Sequence, residues 1–185
     1  MYDKIIGIDV GISGGLVVWT KKGIGASKMP SYSTKTKAGK KRNNTDVKAL
    51  EIMLKEQKED YTPIIFIEKV QGWTGKDDAA RQYSIQKMLA NYEHLLTVIL
   101  LSGIPMIAVR PQDWQTFLNL KVKGELPKDR KLRYKRFAAK TFKTLKVTAW
   151  NGDAACLCEF GRRKLAWDKG WVNEKLQLNK DHKLF

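Results

Sequence analysis

Cysteine is almost absent: Cys156 and Cys158 are the only two in 185 residues. They lie two apart on a segment with helical apolar spacing, where residues i and i+2 point to different faces, so they cannot pair with each other. A disulfide-stapled secreted scaffold is thereby excluded, and both thiols read as small packing residues. Histidine is equally scarce, with His94 and His182 far apart, and no Cys or His spacing matches a zinc site. No stretch approaches the ~20 consecutive apolar residues of a membrane span, and Met1 leads into a strand with no signal-peptide pattern. These absences predict an intracellular, cytoplasmic protein with reduced thiols. Acidic residues are also few, nineteen against thirty-five Lys and Arg, for a net charge of +16. Such a charge repels itself, and a phosphate polymer relieves the repulsion. An acidic membrane surface is the rival partner, but no basic amphipathic helix with a wide apolar face stands apart from the core. A merely solubilising basic surface is the plain alternative.

What is present is the pattern of a folded protein. Hydrophobic residues make up 43% of the chain and recur at structural periods, which excludes a disordered basic polypeptide. The length predicts one domain with a substantial core. Residues 4–10, 16–20 and 24–28 read as three strands of an antiparallel meander, joined by turns at Ile12-Ser13-Gly14-Gly15 and Lys21-Lys22-Gly23. Residues 31–44, with Lys35, Lys37, Lys40, Lys41 and Arg42, have no apolar period and are expected to form a mobile loop. Thr45 is the expected cap of a helix carrying Ala49, Leu50, Met53 and Leu54. A strand ending at Glu68, a Gly-containing loop at 71–75 and a long helix over 79–102 follow, the helix stopped by Gly103 and Pro105. Then come a short strand at 106–109, a short helix from Pro111, a loop at 121–128, a basic helix at 129–143 and a last helix from Asp153. Residues 1–166 are read as one domain and 167–185 as a tail without an assigned role. A meander, a helix and a strand returning parallel to the first make a mixed α/β sheet. That crossover sets the strand of Glu68 beside the strand of Asp9.

Those two strands, Ile5-Ile6-Gly7-Ile8-Asp9 and Ile64-Ile65-Phe66-Ile67-Glu68, each deliver a carboxylate at the end of an apolar run. A buried strand bears an ionised carboxylate poorly unless a cation neutralises it. Asp9 shares a strand face with Gly7 and Gly11, which leaves room for metal and phosphate. Asp153 opens an apolar helix whose small leading residues, Ala154 and Ala155, allow close approach to a sheet. Three carboxylates on rigid elements in a strongly basic chain point to a divalent-metal site that meets a polyanion, as in a nuclease. Each has a plainer reading. Asp9 suits a tight turn, or the first phosphate loop of a sugar kinase or actin-like ATPase, although that fold needs a second similar half. Glu68 can pair with Lys69, and Asp153 is a favoured acid at a helix start.

Taken together, Gly7-Ile8-Asp9-Val10-Gly11, Ile67-Glu68-Lys69-Val70-Gln71, Val109-Arg110-Pro111-x-x-Trp114 and Asp153-Ala154-Ala155-Cys156-Leu157 resemble the RuvC-type Holliday junction resolvases, in order and spacing over residues 4–165. The resemblance implies a ribonuclease H-like fold: a three-strand antiparallel meander plus two parallel strands, flanked by helices. It also implies an endodeoxyribonuclease of bacterial or bacteriophage type that cuts four-way or branched DNA as a homodimer, using two Mg2+ ions for which Mn2+ can substitute. On that pattern Asp9 bridges the ions while Glu68 and Asp153 hold one each, in either assignment. The family's further acidic or His ligand, about three residues before the last Asp, is missing here. Asn151 is the only side chain there able to reach a metal or its water. It is either a neutral ligand or an inactivating replacement of Asp, which would leave a junction-binding protein with an impaired site. Asn151→Asp is accordingly expected to raise magnesium-dependent cleavage. Phosphate contacts are expected from Arg130, Arg133, Arg136 and Lys140 of the basic helix, and from Lys121 and Lys123 near the scissile bond. Trp73 is expected to stack on or wedge between junction bases, with simple packing as the alternative. The 79–102 helix is apolar on more than one stripe, which core burial explains in part and a dimer interface explains for the rest.

Overall fold

The computed structural model describes the backbone of residues 2–37, 39, 41–70 and 79–181, with side chains of the first long helix from residue 85 and of the last helix to residue 177. The strands are β1 (Lys4–Ile8), β2 (Gly15–Thr20), β3 (Gly23–Lys28), β4 (Ser31–Lys35), β5 (Lys41–Thr45), β6 (Pro63–Glu68) and β7 (Met106–Val109). The helices are α1 (Val47–Glu56), α2 (Ala79–Ser102), α3 (Pro111–Phe117), α4 (Pro127–Thr141), α5 (Gly152–Trp167) and α6 (Lys169–Asp181). One five-stranded sheet runs β3-β2-β1-β6-β7, antiparallel through the meander and parallel from β1 to β6 to β7. This is the expected mixed sheet.

The two central strands are continuous apolar runs because both sheet faces are covered. Side chains alternate, so Ile6, Ile8, Ile65 and Ile67 pack under Leu50 and Leu54 of α1 and Tyr92, Leu95 and Ile99 of α2. On the other face Ile5, Val17, Ile64 and Phe66 meet α5, with Trp114 of α3 and Tyr134 and Ala138 of α4 alongside. The long helix α2 buries one side and leaves Met88, Leu100 and Leu101 exposed.

Helix α5 is buried from Gly152 through Gly161, and it lies on the sheet at main-chain contact. A Cβ added at Gly7 would sit 2.1 Å from the Ala154 carbonyl oxygen, and one at Gly161 would sit 2.4 Å from the Phe66 ring. Only glycine permits either approach. Glu159, fully buried on this helix, is neutralised by Arg162 at 2.7 Å and Arg163 at 2.6 Å. Cys156 and Cys158 are buried, and burial pushes both thiols up, so they are packing residues as expected.

Four expectations change. Residues 31–35 and 41–45 form a two-stranded ribbon, β4 and β5, rather than a loop; its cross-strand bonds include Ser33 Oγ to Asn43 Oδ1 at 2.7 Å and Asn44 Nδ2 to Thr34 Oγ1 at 3.2 Å. The cap of α1 is Asp46, not Thr45: its carboxylate accepts the Ala49 N–H at 3.0 Å. The basic helix starts at Pro127, whose missing N–H and fixed φ suit a first turn. Within the tail, Lys169–Asp181 is a helix, α6, with Val172 buried in the core and Trp171 edge-on to Phe160 at 5.8 Å. Among the described residues no helix is long and apolar enough to cross a membrane.

Candidate active site

The parallel register pairs Ile8 with Ile67, so Asp9 and Glu68 leave the same sheet edge as neighbours. Asp9 heads a tight turn closed by its own N–H donating to the Gly15 carbonyl at 3.0 Å. Within that turn the Gly11 N–H donates to Asp9 Oδ1 at 3.2 Å. Gly14 is pressed against the carboxylate: a Cβ there would lie 2.7 Å from Asp9 Cγ. The third acid arrives on α5. Because Ala154 rests on Gly7, Asp153 in the same first turn is carried to the edge where Asp9 stands.

Two side chains that have no assigned role in the sequence reading complete the cluster. The Lys131 ammonium of α4 is ion-paired with the Asp153 carboxylate. Trp114 of α3 donates its indole N–H to Glu68 Oε2 at 3.0 Å. The glutamate is thus held by α3 rather than by its neighbour Lys69. Lys131 reads from sequence as one more cation of a basic helix. The signal for Trp114 is Pro111-x-x-Trp114, in which proline sets the helix start and so fixes where the indole falls.

Among the described residues the electrostatics are those of a site short of positive charge. Burial raises the Glu68 carboxyl to about 7, with the charges of Asp153 and Asp9 adding to the rise while the Trp114 hydrogen bond and Lys131 oppose it. Burial also raises Asp9, again with repulsion from Asp153, against the pull of Lys131 and the Gly11 N–H. Burial disfavours the Lys131 ammonium, but Asp153, Asp9 and Glu68 outweigh it, and the net shift is upward. One ammonium therefore serves three acids.

Among the described residues no three His, Cys, Asp or Glu side chains stand together as a ready-made cage for a single ion. The donor chemistry nonetheless fits magnesium, which takes hard oxygens from one or two carboxylates and fills its octahedron with water and phosphate oxygens. Asp9, Glu68 and Asp153 offer such oxygens, and among the described residues Lys131 is the one cation set against their charge.

Asn151 has a different task from the one expected. It is buried, its Oδ1 accepts the Thr148 N–H at 2.7 Å and the Thr148 hydroxyl at 3.3 Å, and its Nδ2 donates to the Lys146 carbonyl at 3.2 Å. The amide oxygen already holds two donors, so in this arrangement Asn151 builds the turn before α5 instead of facing a metal. The expected outcome for Asn151→Asp is therefore reversed. A carboxylate oxygen facing the Lys146 carbonyl replaces a hydrogen bond with repulsion, and stability should fall by about 1–3 kcal/mol in urea unfolding, without a gain in cleavage. An unchanged midpoint together with faster cleavage would restore the ligand role.

The proposed DNA-contact residues divide. Lys121, Lys123, Arg130, Arg136 and Lys140 are exposed on α4 and the loop before it. Arg133 is not part of that open row: it is half-buried and ion-paired with Glu125. Trp73 lies outside the described residues.

No protein-family model matches the chain. No curated protein matches it in sequence. Solved structures do match in shape. Thermus thermophilus RuvC in complex with Holliday junction substrate superposes with a TM-score of 0.50 at 14% identity, covering 90% of this chain and 97% of that one. A second Thermus thermophilus RuvC structure gives 0.48 at 14% identity, covering 88% and 95%. The first likeness establishes a RuvC-type, ribonuclease H-like fold.

Proposed function

We propose that this chain is a metal-dependent endonuclease that cuts branched DNA, with the four-way junction as its substrate. The observation that carries the reading is the convergence of Asp9, Glu68 and Asp153 on one sheet edge, short of cations, beside a helix with an exposed basic face. Asp9, Glu68 and Asp153 are the residues that would hold Mg2+ or Mn2+. Bound ions would supply an activated water and neutralise the phosphate and the leaving oxygen. The chain's own groups set the stage: Trp114 orients Glu68, Gly11 and Gly14 fix Asp9, and Lys131 balances Asp153. Arg130, Arg136, Lys140, Lys121 and Lys123 are assigned to phosphate contacts, which position a duplex without reading its sequence. Trp73 is assigned to the unstacked bases of the branch point.

The four-way junction is chosen because the fold is shared with a protein solved in complex with Holliday junction substrate. Two symmetric cuts require two sites, and the exposed Leu100 and Leu101 of α2 are a suitable surface for a homodimer. A second reading, junction binding without cleavage, is favoured by Lys131 sitting on Asp153 and by Asn151 being engaged elsewhere. Incubation of a labelled synthetic four-way junction with Mg2+, Mn2+, Ca2+ or EDTA separates the two. The expected result is nicked product with Mg2+ or Mn2+ only. Tight binding with no product in either metal would select the second reading.

A further inference from the structure

The β4–β5 ribbon has properties that solvent alone does not account for. Residues 31–45 contain Lys35, Lys37, Lys40, Lys41 and Arg42 and no acid. Strand β4 is exposed along its whole length and β5 is buried only at its last residue, Thr45, so little burial stabilises the pairing, and two-stranded ribbons are marginal in water. Its register also sets Lys35 directly opposite Lys41, and like charges across a strand pair are destabilising. The ribbon is nonetheless rooted firmly. Met29 is buried beneath it and donates its N–H to the Gly14 carbonyl at 3.1 Å, while the Asp46 N–H donates to the Pro30 carbonyl at 2.9 Å. Gly14 is the residue pressed against Asp9, so the root of the ribbon is tied to the turn that carries the carboxylate. Between them opens a groove of about 580 Å³, lined by Val10, Ile12 and Ser13 of the Asp9 turn, Lys41 and Asn43 of β5, and Lys87 of α2.

We propose that the β4–β5 ribbon is a DNA-binding arm, which holds the phosphate backbone of a strand lying in this groove as it leaves the carboxylate edge. Charge complementarity selects the occupant: a polyanion offsets the Lys35–Lys41 repulsion, and the groove lining begins at Val10, the residue after Asp9. Tyr32, exposed on the ribbon, offers a ring on which an unpaired base can stack. The arm rests on the nuclease reading for its substrate, yet it can be tested apart from cleavage.

The informative variant is Lys35→Glu, which turns the repulsive pair into an attractive one. Lys22→Glu carries the same charge change at the β2–β3 turn, the end of the meander away from Asp9, and serves as the control. Four-way-junction affinity is measured in Ca2+ over a range of salt, with melting temperature and single-turnover cleavage in Mg2+ alongside. Lys35→Glu should leave melting unchanged or higher, weaken binding about tenfold, and make the log–log salt dependence shallower by about 0.9 for each phosphate no longer neutralised. Cleavage at sub-saturating DNA should fall in step with affinity, and Lys41→Ser should move affinity in the same direction. The proposal is overturned if Lys35→Glu leaves affinity and salt slope alone, or if Lys22→Glu does as much. Altered self-association with unchanged DNA affinity would make the ribbon a protein-pairing edge and overturn it too. Failure of the nuclease reading looks different: no cleavage by the parent in any metal, with Lys35→Glu still weakening binding.

Discussion

Asp9→Asn should abolish junction cleavage while leaving the fold and junction affinity nearly intact. The amide is isosteric, and its oxygen can still accept the Gly11 N–H that now donates to Asp9 Oδ1 at 3.2 Å, so the turn should survive. What disappears is a negative charge that acts on Glu68 alongside that of Asp153. Asp9 is raised by burial and by Asp153, and it in turn raises Glu68; removing its charge relieves both repulsions. The metal-free variant should therefore melt slightly higher than the parent. Cleavage in Mg2+ should fall by at least about 10²–10³-fold, because a neutral amide neither balances a divalent ion nor shares it between two positions. Binding in Ca2+ should change little, since the phosphate contacts are assigned to α4, its preceding loop and the β4–β5 ribbon. A variant that cuts at the parental rate would remove Asp9 from the active site and with it the reading of the whole edge.

The metal-free protein should lose stability as pH rises from about 4.5 towards 7, opposite to the usual behaviour of a salt-bridged carboxylate. Burial, with help from Asp153 and Asp9, lifts the folded-state value of Glu68 from 4.5 to about 7. Between those values the folded chain binds a proton that the unfolded chain releases. The associated stability is fully present below the unfolded value and is lost as pH rises through the folded one. The displacement corresponds to on the order of 3 kcal/mol. Asp9, raised in the same direction, adds to the slope. Urea unfolding in EDTA at about pH 5 and about pH 8 should show the drop, and Glu68→Gln should remove most of it. Mg2+ binds the ionised form, so the stabilisation it confers should grow over the same window. A parent protein whose stability is flat or rising across this range would show Glu68 to be solvated rather than buried.

The parts of the molecule legible in sequence are those where burial imposes a period. β1 and β6 read as central strands because both faces are covered, and their ends mark Asp9 and Glu68. α5 reads as a helix against a sheet because Ala154 and Ala155 have little side chain to hold it away. The ribbon is not legible because β4 buries nothing and leaves no alternation; its order comes from pairs such as Ser33 with Asn43. Asn151 misleads for a related reason. A motif position says which residue stands in line with an expected ligand, but the 146–151 turn directs the amide onto Thr148 and Lys146. Arg133 shows the same limit, since its bond to Glu125 depends on how the loop folds back on the helix. Lys131 is visible only as charge until α4 docks beside α5.

The contact between Gly7 and Ala154 has a consequence for how the carboxylates keep their spacing. Interlocking side chains usually set the distance between a helix and a sheet, and that distance drifts when a methylene is added or removed. Here two main chains touch, and peptide groups do not vary with sequence. The gap between Asp9, two residues beyond Gly7, and Asp153, one residue before Ala154, is gauged by peptide against peptide. The surrounding core is thereby free to change its volume over evolutionary time without detuning the edge. That freedom ends at position 7, where a single methyl group would lift the helix and take Asp153 with it.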